Sequence, residues 1–145
     1  MLARHGDRPA QLFTCLPRAG TNRAALLLAE IGDCLARFPD DAALAGAGVA
    51  PSTRASGDRH HVAFRHSCDK KLREALIDFA IDSRQASPWA ADIYQRACER
   101  GARHPHAVRI LARAWCRIIW RCWVGGTAYD PVRHGGLQQL LAAAG

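Results

Sequence analysis

The sequence predicts an all-α domain: a compact helical fold with a helix-hairpin-helix-like N-terminal part and an irregular central loop. Three observations carry this. Apolar residues recur at helical spacing over 69–83 (Leu72, Leu76 and Phe79 with Ala75 and Ala80) and again at Val108, Leu111, Trp115 and Ile118. Recognisable start and stop residues bracket most of the segments. The 145 residues, 49% apolar and 23% charged, have a globular composition and a length that suits one core but not two.

Residues 1–15 read as a partial lead-in and 16–145 as the domain. The first nine residues are polar and basic, and 10–16 read as the last turns of a helix that Pro17 ends. Thr21 offers a hydroxyl N-cap for a helix over 22–34. Pro39 stops the chain after Phe38, and Asp40 can cap a short helix over 41–47. Residues 48–57 are loop-like, with Pro51 and the hydroxyl residues Ser52, Thr53 and Ser56. The stretch 60–66 reads as a short strand or half of a ribbon. A helix over 69–83 follows. Ser87-Pro88 sets a cap residue beside a first-turn proline and starts a helix that runs to Gly101. His104-Pro105 opens the longest helix, over 106–123, which Gly125-Gly126 close. A last short helix covers 137–143. The chain has no internal repeat and no low-complexity tract.

The formal charge of +7 points to an acidic partner, most simply nucleic acid, against the plainer reading of a basic surface in water. None of the six cysteines (Cys15, Cys34, Cys68, Cys98, Cys116, Cys122) forms a C-x-x-C pair. A zinc site wants close ligand pairs, and a secreted disulfide scaffold wants a signal peptide. The expectation is therefore reduced, buried thiols acting as small hydrophobes, with no metal ligands in this chain. The apolar run 24–29 is far too short to span a bilayer, so a cytoplasmic protein with no membrane partner is expected.

Residues 26–57 supply an apolar helix ending Ala29-Glu30-Ile31-Gly32-Asp33 and an Arg37-Phe38 turn. A short small-residue helix and the loop Gly48-Val49-Ala50-Pro51-Ser52…Ser56-Gly57 come next. In this order and spacing they resemble the C-terminal domain of transposases of the insertion sequence 110/116/902 family. The resemblance continues through Ala63-Phe64-Arg65, Cys68-Asp69-Lys70, Pro88-Trp89-Ala90, the 104–115 helix and Tyr129-Asp130-Pro131, and covers about 16–140. It implies a part in DNA transposition and recombination. It also implies DNA as partner, a structured guide RNA as a second partner, and a homo-oligomer in the complete enzyme. Full-length members carry an N-terminal RNase H-like domain whose acids bind magnesium. Nothing in residues 1–18 resembles it, and Asp7 is the only acid there. The expectation is a truncated, catalytically incomplete C-terminal part with no cofactor of its own, magnesium belonging to the missing domain.

In the resembled enzymes a serine of the central loop joins covalently to a DNA strand end. Ser56, by its place before the glycine, matches that serine, with Ser52 as the alternative. A serine hydroxyl needs a base or metal to become a nucleophile, and Arg54, Arg59, His60 and His61 lie nearby in sequence to hold phosphate or move a proton. Read without the resemblance, loop serines are turn residues. The turn Leu16-Pro17-Arg18-Ala19-Gly20-Thr21 has the look of a helix-hairpin-helix turn, which aims backbone N–H groups at a phosphate. The usual pattern has two glycines, and Arg18 stands at the first. Arg18, Gly20 and Thr21 are the candidate DNA contacts there.

Arg109, Arg113, Arg117 and Arg121 recur every four residues on the longest helix. They drift only about 40° per step and so form one stripe, opposite a core face of Val108, Leu111, Trp115, Ile118, Ile119 and Cys122. The stripe reads as a track for a phosphate backbone or as a solvated face. Trp115, Trp120 and Trp123 read as core or as platforms for bases. Three functions stay open: the DNA-binding C-terminal part of a transposase, a non-enzymatic helix-hairpin-helix DNA-binding or regulatory module, and a helical interaction domain whose charge is incidental.

Overall fold

The structure, a computed structural model, describes the backbone of residues 12–32, 35–49 and 59–144, with side chains for 12–32, 36–49 and 70–144. Its helices are α1 (Gly20–Ile31), α2 (Asp41–Gly48), α3 (Arg59–Ser83), α4 (Pro88–Glu99), α5 (His104–Gly125) and α6 (Gly135–Ala144). Short 3-10 turns at Leu35–Arg37 and Pro131–Arg133 lie before α2 and α6. No strand occurs among the described residues, so the domain is all-α as its periodicity predicts.

α5 is the central element and packs against α2, α3 and α4, while α1 lies on α3 and α6 on α4. Its buried residues include Val108, Leu111, Ala112, Trp115, Cys116, Ile119 and Trp123. They cover more than one face because three helices surround it. Residues 12–19 run as turns, with Leu16 N–H on the Phe13 carbonyl and Ala19 N–H on that of Leu16. Leu12, Phe13, Leu16 and Ala19 are buried in the same core.

α1 starts and stops earlier than the sequence suggests. Arg18 (φ 61°) and Gly20 (φ 62°) both take the left-handed region, which turns the chain into the helix before Thr21 is reached. Ala19 holds the N-cap position without a side-chain bond, so Thr21 lies exposed in the first turn rather than capping it. At the other end Gly32 turns out at φ 84° with its N–H on the Leu28 carbonyl, so the helix does not reach Cys34. The Arg37 guanidinium donates to the Glu30 and Ile31 carbonyls at 2.8 and 3.0 Å, and Trp123 Nε1 donates to the Gly32 carbonyl at 2.7 Å. These donors satisfy a helix end that would otherwise leave carbonyls unpaired.

The caps expected of Asp40 and Ser87 both form. Asp40 Oδ1 accepts from Ala43 N–H at 2.7 Å, and Ser87 Oγ accepts from Ala90 N–H at 3.3 Å beside Pro88. The strand or ribbon expected over 60–66 is instead the first part of α3. No glycine or proline lies between Gly57 and Pro88, so nothing stops a helix once formed from propagating backward through those residues.

Trp115 anchors an aromatic cluster in which Phe79, Trp89 and Tyr129 stand edge-on to it at 5.1, 4.8 and 5.8 Å. This geometry suits ring quadrupoles. The cluster ties α3, α4, α5 and the segment before α6 to one centre. Cys116 and Cys122 are buried thiols, pushed up by burial to about 12 and about 11. Cys15 and Cys98 are exposed, against the expectation of buried thiols throughout. Cys98 follows Ala97 on α4, about 100° round from the face that Ala90 and Ala97 bury. Cys34 and the side chain of Cys68 lie outside the described residues.

Candidate nucleic-acid interface

Residues 16–21 form the turn into α1, with one strained member, but the helix end expected over 10–16 is not present in its described part, because 12–19 run as turns. An L-residue in the left-handed region costs roughly 1–2 kcal/mol, and Arg18 occupies that region where the usual pattern has glycine. Arg18, Gly20 and Thr21 are exposed, and a Cβ on Gly20 would meet nothing within 4 Å. Backbone therefore lies open to solvent at the turn. The turn borders a cleft of about 400 Å³ whose wall includes Asp78 and Asp82 of α3. Arg23 is committed to Asp82 at 2.5 Å, which leaves Arg18 as the outward cation of this edge.

The arginine stripe runs along the flank of α2. Arg117 Nε reaches Asp41 Oδ2 at 3.4 Å at the start of α2, while Arg109 lines a groove with Val49 just past its end. Eight residues separate each pair on both helices, so α2 lies antiparallel to this part of α5 over about 12 Å. The Arg117–Asp41 pair is solvent-exposed and contributes at most about 1 kcal/mol. Arg113 and Arg121 are exposed and form no ion pair among the described residues, whereas Arg109 is half-buried.

The groove at Arg109 holds about 400 Å³ and is floored by Val49, Ile77, Ile81, Pro105 and Val108. Arg73 and His104 border it too, and neither stands out in the sequence reading; the Lys70-Lys71-x-Arg73 run was the signal available for the first. Val49 is the last described residue before the loop of Ser52, Arg54 and Ser56, which lies outside the described residues. Arg59 begins α3, but its side chain and those of His60 and His61 lie outside the described set. The structure thus joins one end of the stripe to the root of the central loop.

It does not join the hairpin turn to them. On α3, Arg73, Ile77 and Ile81 face the Arg109 groove, whereas Ala75, Asp78 and Asp82 face the hairpin cleft. These rows lie about 130° apart, so the two basic features occupy different sides of α3.

The tryptophans are structural. Trp115 and Trp123 are fully buried, and each indole N–H, that of half-buried Trp120 included, donates to a protein oxygen: Ser83 Oγ, Gly32 O and Phe38 O. At the far end of the stripe, Arg121 lines a third cleft, of about 370 Å³, with Tyr129, Arg133 and His134. Tyr129 Oη lies 2.8 Å from His134 Nδ1, and burial holds the His134 imidazole below its usual range. Among the described residues no group of three or more His, Cys, Asp or Glu could hold a metal ion. No helix there is long and apolar enough to cross a membrane.

The sequence profile of the Transposase IS116/IS110/IS902 family matches residues 10–95. The chain belongs to this family. It is 38% identical over 141 residues to the IS117 mini-circle protein of Streptomyces coelicolor, covering 97% of this chain and 33% of that protein. It is 31% identical over 129 residues to the 43.6 kDa protein of insertion element IS110 from the same organism, covering 88% and 32% respectively. Against the 42 kDa protein of insertion element IS900 from Mycobacterium paratuberculosis it is 31% identical over 126 residues, covering 86% and 32%. The chain spans about a third of the length of the curated relatives it matches. No solved structure matches it significantly.

Within the IS110 family match, the Arg37-Phe38 motif acquires a physical role. Arg37 ties off the end of α1. Phe38 is buried edge-on to Trp123 at 5.8 Å, while its carbonyl receives Trp120 Nε1. The motif therefore locks α1 and the approach to α2 onto α5.

Proposed function

We propose that this chain is a DNA-binding C-terminal part of an IS110-family transposase. The observation that carries the reading is the arginine ridge of α5, which runs about 18 Å from the root of the central loop at Arg109 to the cleft at Arg121. A ridge with two arginines unpaired among the described residues and a third only loosely held suits a nucleic-acid backbone, and the net charge of +7 adds long-range attraction. Arg18, Gly20 and Thr21 offer a second contact on a different side of α3. Ser56, with Arg54 and Arg59 beside it in sequence, is the nucleophile of strand exchange in the complete enzyme. The metal-binding carboxylates for that step come from a further domain, and a guide RNA and further copies of the protein complete the assembly.

Two measurements test this. Duplex binding followed against salt should give a slope of log affinity on log salt of roughly −4 to −5, for about 4–6 phosphates contacted. Arg113→Ala with Arg121→Ala should make it shallower by about 2. Affinity insensitive to salt removes the reading. The chain alone with magnesium should give no covalent DNA adduct. A chimera carrying a related acidic N-terminal domain should give one that Ser56→Ala abolishes and Ser52→Ala does not. Salt-dependent binding with no adduct from the chimera would favour a non-enzymatic DNA-binding module instead.

A further inference from the structure

We propose that the cleft between the end of α5 and the segment leading into α6 holds one unpaired nucleotide of a single-stranded nucleic acid; this rests on the reading of the α5 ridge as a nucleic-acid track. The cleft, about 370 Å³, falls in the range in which small organic ligands bind. Its two cations come from different elements: Arg121 from α5 and Arg133 from the 3-10 turn Pro131–Arg133. Both are exposed, and neither forms an ion pair among the described residues. Two guanidinium groups lining one cleft suit a phosphate, which accepts forked hydrogen bonds.

The rest of the lining fits the other half of a nucleotide. Ile118, Ala128 and the Tyr129–His134 pair form a wall without formal charge. The phenol and Nδ1 of that pair occupy each other at 2.8 Å, and Trp89 backs the imidazole edge-on at 4.4 Å, so the wall is held in place before any ligand arrives. Such a wall takes a nucleobase and not a second phosphate. Asp130 also lines the cleft, with Oδ1 engaged by Val132 N–H, and its charge opposes more than one anionic group there. A paired base stays stacked inside its duplex and cannot turn into such a cleft, whereas an unpaired one can. Because Arg121 is also the last arginine of the ridge, a strand leaving the ridge arrives at this opening.

The test uses the whole chain with fluorescent dT10, U10 and a DNA duplex of the same charge. Ala128→Trp places bulk in the cleft from an exposed position and removes no charge. It should lower affinity for the single strand roughly tenfold while changing duplex affinity less than about twofold. Arg133→Ala, also exposed, should weaken the single-strand complex and make its salt slope shallower by about 1. Equal losses with dT10 and U10 support a nucleotide site open to both, and a loss with one alone assigns the strand. If the chain binds duplex but Ala128→Trp and Arg133→Ala leave single-strand affinity unchanged, the cleft proposal falls and the ridge reading stands. If single-strand binding responds to both variants while the duplex does not bind at all, the nucleotide site stands and duplex recognition by the ridge falls. Binding of neither overturns both.

Discussion

The indole N–H of Trp115 donates to the hydroxyl of Ser83 at 2.9 Å, and both residues are fully buried. The same hydroxyl donates to the Ala80 carbonyl at 2.7 Å, so it joins the middle of α5 to the last turn of α3. Ser83→Ala should leave a buried N–H without a partner and cost about 1–3 kcal/mol in urea unfolding. In a double-mutant cycle with Trp115→Phe the two losses should be clearly less than additive. Strict additivity would show that the bond contributes nothing.

Arg18→Gly should raise stability by up to about 1 kcal/mol, because relief of the left-handed backbone outweighs the added freedom of the unfolded chain. It should also weaken duplex binding by removing the outward cation of the hairpin. Gly20→Ala should do the reverse to stability, costing roughly 1–2 kcal/mol through backbone strain alone, since no neighbour is within reach of its Cβ. Thermal melts beside a binding titration separate these effects. A lower melting temperature for Arg18→Gly would mean that its side chain supports the turn.

Asp41→Asn should tighten duplex binding about two- to fivefold at low salt, because the acid beside Arg117 offsets part of the ridge. The price in stability is a few tenths of a kcal/mol, from one first-turn acid of α2 and one exposed pair. Unchanged affinity would place the DNA away from this side of α5.

Acidification should destabilise the fold partly through His134. Burial holds its imidazole below the usual range, with Tyr129, Asp130 and Arg133 around it and the Trp89 and Trp115 rings against it. The unfolded chain takes up this proton near pH 6.5 and the folded chain only lower down. The contribution is therefore complete above about pH 6.5 and declines as pH falls toward the depressed value. Melting temperatures at pH 7.5, 6.5 and 5.5 should fall more steeply for the wild type than for His134→Gln. Parallel curves would remove His134 from the acid response.

What could be read from the sequence was local. The Asp40 and Ser87-Pro88 caps, the periodicity of 69–83 and the four-residue arginine spacing each depend on neighbours a turn or two away. They are the same in an isolated segment as in the fold. The same locality explains the misreadings. Over 60–66 seven residues of mixed polarity resemble a strand, yet the absence of any breaker as far as Pro88 lets α3 run through them. Thr21 looks like a cap, but paired left-handed residues at 18 and 20 start the helix before it.

Tertiary structure decided which groups are spent and which remain free. The sequence determined three tryptophans and four arginines at helical spacing on one segment. Packing with helices distant in the chain gave the indole N–H groups to Ser83, Phe38 and Gly32, and lent Asp41 to Arg117. It left Arg113 and Arg121 exposed and brought Arg133 to the same cleft as Arg121. Hydrogen bonds and charge pairs form between atoms a few ångströms apart whatever their separation along the chain. A periodic pattern therefore determines a helix and its faces, and only the packed fold determines what each face meets.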